Sequence, residues 1–309
     1  MKFSITIPAY KQKYLNEAIE SCLAQTYKDF ELIIVDDASP EDLKSVVDRF
    51  QDSRIRYYRN EKNCGALHVV DNWNICLGYA RGDYVICMGD DDRLLPNCLE
   101  EYSKLIDKYP DLDIYHGMTE IMDENSDVTN MQEARPEREG MYSMISGRLR
   151  NCRLQYIGDW LFKRTALEQQ NGYVNMPMAW GSDDLTAYII AKNQGVANTQ
   201  MPVFQYRISS LTISNSGHYR EKAKIQFNVL NQVEALLKSG EGKTEGIEDI
   251  FRKSMLAKIP ELKRLSISNY MRSDMRSKGR MFGLVWWLRY IHQFNLSKKE
   301  VIKVWIKSF

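Results

Sequence analysis

Two apolar runs in the first hundred residues end in clustered aspartates. Leu32-Ile33-Ile34-Val35 meets Asp36-Asp37, and Tyr84-Val85-Ile86-Cys87-Met88 meets Gly89 and then Asp90-Asp91-Asp92. Unbroken apolar runs of this length are the pattern of strands buried on both faces, which is how parallel sheets covered by helices are built. Phe3 to Pro8, Ile55 to Tyr58 and Ile114 to Met118 read as further strands. Between them Leu15, Ala18, Ile19, Cys22 and Leu23 keep helical spacing. Ser39-Pro40 and Glu41-Asp42 open a second helix, and Leu67 to Ala80 and Pro96 to Leu105 give two more. Arg81-Gly82-Asp83 reads as the turn that ends a helix, with Gly82 as its C-cap. Strand–helix alternation of this kind predicts a mostly parallel α/β sheet, and such sheets bind ligands at the carboxyl ends of their strands. The two aspartate clusters stand at those ends.

The remainder is less regular. Residues 123 to 155 are polar and poorly periodic and read as a long loop or insertion over the site. Asp183 to Asn193 has helical character, Met201 to Ile208 reads as a strand, and everything beyond Tyr219 reads as helix. The expected division is an α/β domain over residues 1–218 and a helical extension over 219–309.

Charge separates along the same line. The net charge is +1, which gives no bulk attraction to nucleic acid. From Ile250 to Phe309, however, there are 14 Lys/Arg against 3 acids, while the other 249 residues carry 28 bases and 38 acids. None of the six cysteines forms a Cys-x-x-Cys pair, so buried free thiols in a reducing compartment are expected rather than disulfides or zinc. The first residues are too polar for a signal peptide, and no apolar stretch reaches the roughly 20 residues that span a bilayer. A cytoplasmic protein is the expectation.

Three carboxylates directly after a buried strand repel one another unless a cation sits among them. Hard oxygen ligands suit Mg²⁺ or Mn²⁺, ions that share their coordination with substrate phosphates. A solvated acidic turn capping the next helix is the plainer reading of the run taken alone.

The run does not stand alone. Ile5-Thr6-Ile7-Pro8-Ala9-Tyr10, Leu32 to Ser39, Asn63-Cys64-Gly65 before a helix carrying Asn72-Trp73-Asn74, and Ala80 to Pro96 together resemble family 2 glycosyltransferases of the GT-A fold. The resemblance extends from residue 3 to about 215. It implies a nucleotide-sugar-binding fold with a mostly parallel central sheet plus a helical C-terminal extension. By that resemblance Pro8, Tyr10 and Asn63 line the nucleotide pocket, and Asp37 accepts a hydrogen bond from the base with Asp36 as its structural partner. Asp92 holds the metal, with Asp90 or Asp91 at the ribose and supporting the metal. The chain departs from the family at Gly89, where many members have an acid that Asp90 replaces one residue along. It departs again at Asn72-Trp73-Asn74, where many have Arg-Asn; Asn72 then either contacts the nucleotide or packs the helix.

Trp180-Gly181-Ser182-Asp183-Asp184-Leu185 resembles the family's second acidic motif, which supplies the general base. Asp184 is the expected base, with Asp183 as neighbour or alternate, removing the proton from an acceptor hydroxyl as it attacks the anomeric carbon. The plainer reading is a helix start with Ser182 as N-cap. Arg207, in Gln205-Tyr206-Arg207-Ile208-Ser209, is expected either to meet phosphate or to sit in a salt bridge. His218 is a further metal-ligand candidate. Trp160 falls on the acceptor side or in the core.

The resemblance thus implies an inverting, Mn²⁺- or Mg²⁺-dependent hexosyltransferase taking a nucleotide-sugar donor, with a UDP-sugar favoured, to a glycan or lipid-linked acceptor, as in surface polysaccharide assembly. The alternatives are a sugar-phosphate nucleotidylyltransferase and a non-catalytic carbohydrate-binding scaffold. The first should carry a glycine-rich loop where Pro8-Ala9-Tyr10-Lys11-Gln12 stands; intact Asp92 and Asp184 oppose the second. The basic tail, with Met281-Phe282-Gly283-Leu284-Val285-Trp286-Trp287-Leu288-Arg289, has two readings. It lies in the inner membrane leaflet as a peripheral anchor, or its Trp and Leu residues pack on the acidic body.

Overall fold

The computed structural model describes residues 1–209, 218–242 and 245–308. The chain divides into two compact units, Met1–Ile213 and Ser214–Phe309.

The first unit is built on one mixed sheet. Strands β1 (Phe3–Ala9), β2 (Phe30–Asp36), β3 (Ile55–Arg59) and β4 (Tyr84–Cys87) run parallel in the order β3-β2-β1-β4. Helices α1 (Leu15–Leu23), α2 (Leu43–Val47) and α3 (Val69–Tyr79) make the crossovers. Every residue of β2 and β4 is buried, as continuous apolar runs require. Two charged side chains of β2 are buried with them, Glu31 and Asp36. Glu31 accepts from the Ser4 hydroxyl and the Arg81 N–H, each at 2.7 Å, and is paired with Arg56 at 2.6 Å, so none of its charge lacks a partner.

A second set of strands completes the sheet. After the short β5 (Arg93–Leu94), α4 (Cys98–Lys108) leads into β6 (Ile114–Met122). Residues 123 to 155, expected as loop, instead contain β7 (Val128–Met131), β8 (Arg138–Glu139) and α5 (Met141–Leu149), whose first six residues are buried. Serines and a glycine dilute the apolar signal of α5, and β8 becomes a strand through its pairing with a strand distant in sequence. β9 (Trp160–Lys163) runs antiparallel between β4 and β6. Its Trp160 is fully buried edge-on to His116, which settles that side chain as core. After α6 (Arg164–Gln169) and α7 (Ser182–Ala191), β10 (Val196–Arg207) lies parallel to β6 and covers β5 and β8.

Gly82 is needed for a reason other than the one its sequence context suggests. α3 ends at Tyr79 with Ala80 in extended conformation as its C-cap. A Cβ on Gly82 would lie 2.6 Å from the Phe3 carbonyl carbon and the Ser4 nitrogen, which are backbone atoms of β1 that cannot swing aside. Gly82→Ala is expected to cost about 1–3 kcal/mol through overpacking, measured as a lowered urea midpoint at unchanged slope.

The second unit is helical: α8 (Tyr219–Ser239), the 32-residue α9 (Ile247–Lys278), α10 (Arg280–Arg289) and α11 (Lys298–Ile306). It has its own core, where Ala223, Ile267, Met271, Met275, Val301 and Val304 surround Trp287. The Trp287 indole N–H donates to Asp274 at 3.1 Å. Trp287 is therefore a core side chain of the second unit. Among the described residues no helix is long and apolar enough to cross a membrane. All six cysteines are free; Cys22, Cys76, Cys87 and Cys98 are buried, whereas Cys152 is exposed.

Candidate active site

Because β1, β2 and β4 are parallel, their carboxyl ends share one edge. The chain leaves β2 through Asp36, which is fully buried and fully used: it accepts from the Ser39 N–H and the Tyr57 hydroxyl, each at 2.7 Å, and pairs with Arg59. Asp37 turns the other way. Its carboxylate accepts from the Asn60 amide at 2.8 Å and from the Cys64 N–H at 3.0 and 3.1 Å. Asn63 donates to the Asp37 carbonyl at 2.7 Å, and Asn72 accepts from Asn60 at 3.1 Å. Asn63 and Asn72 thus brace Asp37 through its backbone and through Asn60. Pro8 and Tyr10 end β1 beside it; Tyr10 has an exposed ring, and its carbonyl accepts from the Ser39 hydroxyl at 2.6 Å.

The three aspartates after β4 separate into distinct roles. Asp90 accepts the N–H groups of Tyr10 and Lys11, both at 2.7 Å, and so ties the β4 turn to the β1 turn. Asp91 faces Lys11 at 3.9 Å. Asp92 accepts the Arg207 N–H at 2.9 Å through one oxygen. A Cβ on Gly89 would meet Asp92 Oδ2 at 2.9 Å and Asp91 Oδ1 at 3.0 Å. A side chain at position 89 would therefore have to displace the Asp91 and Asp92 carboxylates from where they stand. Burial and the Asp91 charge push Asp90 up to about 6; burial raises Asp91, and burial with Asp91 raises Asp92 well above the carboxylate range. Adjacent buried carboxylates resist simultaneous ionisation unless a cation joins them.

Arg207 is not presented to a phosphate. It is fully buried beneath the acidic loop, where its guanidinium donates to the Asp91 carbonyl at 2.7 Å, the Ser126 hydroxyl at 2.8 Å, the Asp123 carbonyl at 3.3 Å and Glu17 at 2.7 Å. The plane of Tyr14 closes it off, 4.0 Å from the ring centre. Its work is to fix the backbone that carries Asp91 and Asp92.

The second acidic motif begins α7. Gly181, with φ of 77°, is the N-cap, and Ser182 is the first helical residue, its hydroxyl accepting the Met176 N–H at 3.1 Å. Asp184 faces Arg148, whose Nε lies 3.2 and 3.0 Å from its two oxygens. Among the described residues, Asp183, one residue earlier, meets no basic side chain at that range. Burial, and then the Asp184 charge, push it up to about 8. Arg148 sits on α5, inside the segment expected to be loop, so no sequence signal marked it.

A stacked pair of rings, which the sequence did not single out, feels charge from both acidic motifs. Tyr156 and Tyr206 stack with centroids 3.7 Å apart and planes 15° apart. Burial is the main cause that raises both phenols, and the charges of Asp92 and Asp183 both add to it. The carboxylates of both motifs thus lie within electrostatic reach of one stacked pair. His218 belongs to the second unit, as the residue before α8, and the segment 210–217 that precedes it lies outside the described residues. Among the described residues no three His, Cys, Asp or Glu gather as a metal cage.

Comparison with known proteins bears on this arrangement. The model of glycosyl transferase family 2 matches residues 4–171. An uncharacterized glycosyltransferase of Methanocaldococcus jannaschii is 33% identical over 140 residues, 44% of this chain and 47% of that one. A Campylobacter jejuni GalNAc(5)-diNAcBac-PP-undecaprenol beta-1,3-glucosyltransferase is 39% identical over 101 residues, 32% of each chain. The chain thus spans about half or less of the length of these curated relatives. Among solved structures, S. aureus TarS 1-349 in complex with UDP-GlcNAc aligns with 100% of this chain and 81% of its own at a TM-score of 0.63 and 15% identity. A mannosyltransferase of Pyrobaculum calidifontis, solved with GDP-Man and Mn2+, gives 0.51 at 16% identity, over 99% and 86% of the two chains. At such identities the likeness speaks for the fold, which is of the GT-A type with a helical C-terminal region.

Proposed function

Because the chain belongs to glycosyl transferase family 2, we propose that it moves a sugar, with inversion, from a nucleotide-sugar donor to a glycan or lipid-linked acceptor. The observation that carries this reading is that Asp37 and the Asp90–Asp92 run stand together at the carboxyl ends of β1, β2 and β4, tied to one another through the Tyr10 and Lys11 turn. In this reading the carboxylates after β4 serve the leaving group and those that begin α7 serve the acceptor.

In this reading the base of the nucleotide is held at Asp37, in the pocket edged by Pro8, Tyr10 and Asn63. A UDP-sugar is favoured, in keeping with the S. aureus protein's UDP-GlcNAc complex. The residues present fit Mn²⁺ or Mg²⁺: Asp91 and Asp92 offer converging hard oxygens and an excess of buried negative charge, and two carboxylates are what such an ion takes when phosphates and water fill the rest. When bound, the ion would stabilise charge growing on the departing diphosphate. Lys11, at the rim beside Asp91, adds a second positive charge on that side.

The proton of the attacking hydroxyl goes to a carboxylate of α7. Asp183 rather than Asp184 is the base in this proposal, because Arg148 occupies the Asp184 oxygens while the raised affinity of Asp183 for a proton suits proton abstraction near neutral pH. Asp184 and Arg148 then orient the start of α7. A lipid-linked acceptor, as the name of the Campylobacter jejuni relative describes, would place the enzyme at the cytoplasmic membrane surface.

Donor hydrolysis tests the first half of this reading. With Mn²⁺ and UDP-sugars, Asp92→Ala is expected to lower turnover by about a hundredfold, the scale of losing a main charge-stabilising group, and to abolish the response to added Mn²⁺. Equal hydrolysis by wild type and variant would remove Asp92 from the donor site.

A further inference from the structure

We infer that the outward faces of α10 and α11 form a docking surface for an anionic lipid bilayer. Both helices pack on α9 and on each other, so the sides they turn away from α9 are what the second unit offers to a surface. On α10 the buried side is Gly283 and Trp287, with Gly283 closed against Met275. The opposite side is Met281, Phe282 and Val285, which are 63%, 74% and 64% exposed. Helical spacing puts Arg289 on the same stripe as Val285. α11 repeats the arrangement: Val301 and Val304 are buried, while Ile302 and Ile306 are exposed between Lys299 and Lys303.

Exposed single apolar residues are ordinary, but a largely exposed Phe near the start of a helix beside exposed Met and Val is an unfavourable surface in water. The charge pattern identifies what covers it. From Arg276 to Ser308 there are eight Lys/Arg and one acid, Glu300. Glu300 is engaged by Ser297 and by Arg264, 3.2 Å away. Among the described residues, Arg276, Lys278, Arg289, Lys299 and Lys303 have no carboxylate within ion-pair distance. A second copy of this unit would bring the same cations against them, so self-association through these faces is opposed. A nucleic-acid backbone would satisfy the cations and leave Phe282, Met281 and Val285 in water. A bilayer with anionic headgroups satisfies both, taking apolar tips below the headgroups and cations at their level. The tryptophans are not part of the contact: Trp287 is core, and Trp286 is covered by Arg220 and Lys224.

This inference is independent of the transferase reading, and its test does not use activity. The full chain is floated with vesicles of phosphatidylcholine alone and with vesicles of equal parts phosphatidylcholine and phosphatidylglycerol, at low and at high salt. Wild type is expected to float with the mixed vesicles and to be released by salt. A M281S/F282S/V285S variant and a K278E/R289E variant are each expected to lose at least about tenfold in partition, the scale set by a few buried methylenes or by two surface cations. All three proteins should share one thermal midpoint, since the changed side chains are exposed; a variant that unfolds is replaced by Phe282→Ser alone. Equal flotation of all three proteins, equal binding to both vesicle types, or a concentration-dependent dimer that disappears in the serine variant would overturn the proposal. So would retention on double-stranded DNA that the serine variant keeps and that exceeds vesicle binding.

Discussion

Asp183→Asn is expected to lower kcat for transfer by about 10²–10⁴-fold, the contribution of a positioned general base, while leaving donor binding intact. The substitution keeps shape and removes the ability to take a proton. Donor affinity, read by titration with the nucleoside diphosphate, depends on Asp37 and the β4 turn and should not move. The pH profile adds a second readout. Asp183 must be ionised to act, and burial with the Asp184 charge raises it to about 8. The rate should therefore climb with pH through that value and level off above it, with the acid limb lying far above the ordinary carboxylate range. Asp184→Asn removes the neighbouring charge that holds Asp183 up, so its acid limb should shift to lower pH rather than vanish. If Asp184→Asn instead loses the larger share of kcat and Asp183→Asn keeps a near wild-type rate, the two roles are reversed.

Arg207→Met is expected to destabilise the first unit by about 3 kcal/mol, at the lower end of the range for breaking a buried ion pair. The lower end applies because Glu17 is about one-third exposed and keeps Arg93 as a partner. The Asp91 and Asp123 carbonyls lose their donor, and the methionine cannot supply one. Chemical denaturation followed by tryptophan fluorescence measures the loss. Because the same guanidinium holds the backbone that presents Asp91 and Asp92, the apparent affinity for Mn²⁺ should fall with stability. Lysine is not expected to rescue it, since one ammonium cannot reach four acceptors laid out for a planar fork. A variant as stable as wild type, with unchanged response to Mn²⁺, would show that Asp92 is held by its neighbours alone.

The parallel half of the sheet was legible because its strands are buried on both faces and announce themselves as unbroken apolar runs. The same holds for the aspartates, which mark strand ends by position. What was not legible depends on partners far away in sequence. β9 has four residues and becomes a strand only between β4 and β6. α5 mixes serines into its buried side, so it reads as polar. Arg207 illustrates the limit most clearly. Its place after a strand marked it as a residue of the site, yet nothing local told whether its charge faced outward or inward. Its acceptors come from α1, the β4 turn and the 123–126 turn, and only the fold assembles them. Asp183 and Asp184 were found as a pair with Asp184 ranked first; the order proposed above is the reverse, because the cation that pairs with Asp184 lies on a helix concealed in an apparent loop.

β10 carries Tyr206 and Arg207 as successive residues, and successive side chains of a strand leave by opposite faces. One enters the stack with Tyr156; the other locks the acidic loop from its buried side. The register that makes this assignment is set upstream, where β10 slips against β6 between Asn198 and Pro202 and again between Pro202 and Phe204. These irregularities act as a counting device. A chain that gained or lost one residue there would still pair its strand, but it would deliver a ring to the buried slot and a guanidinium to the open one. Evolution can therefore trade side chains along this stretch far more freely than it can change its length.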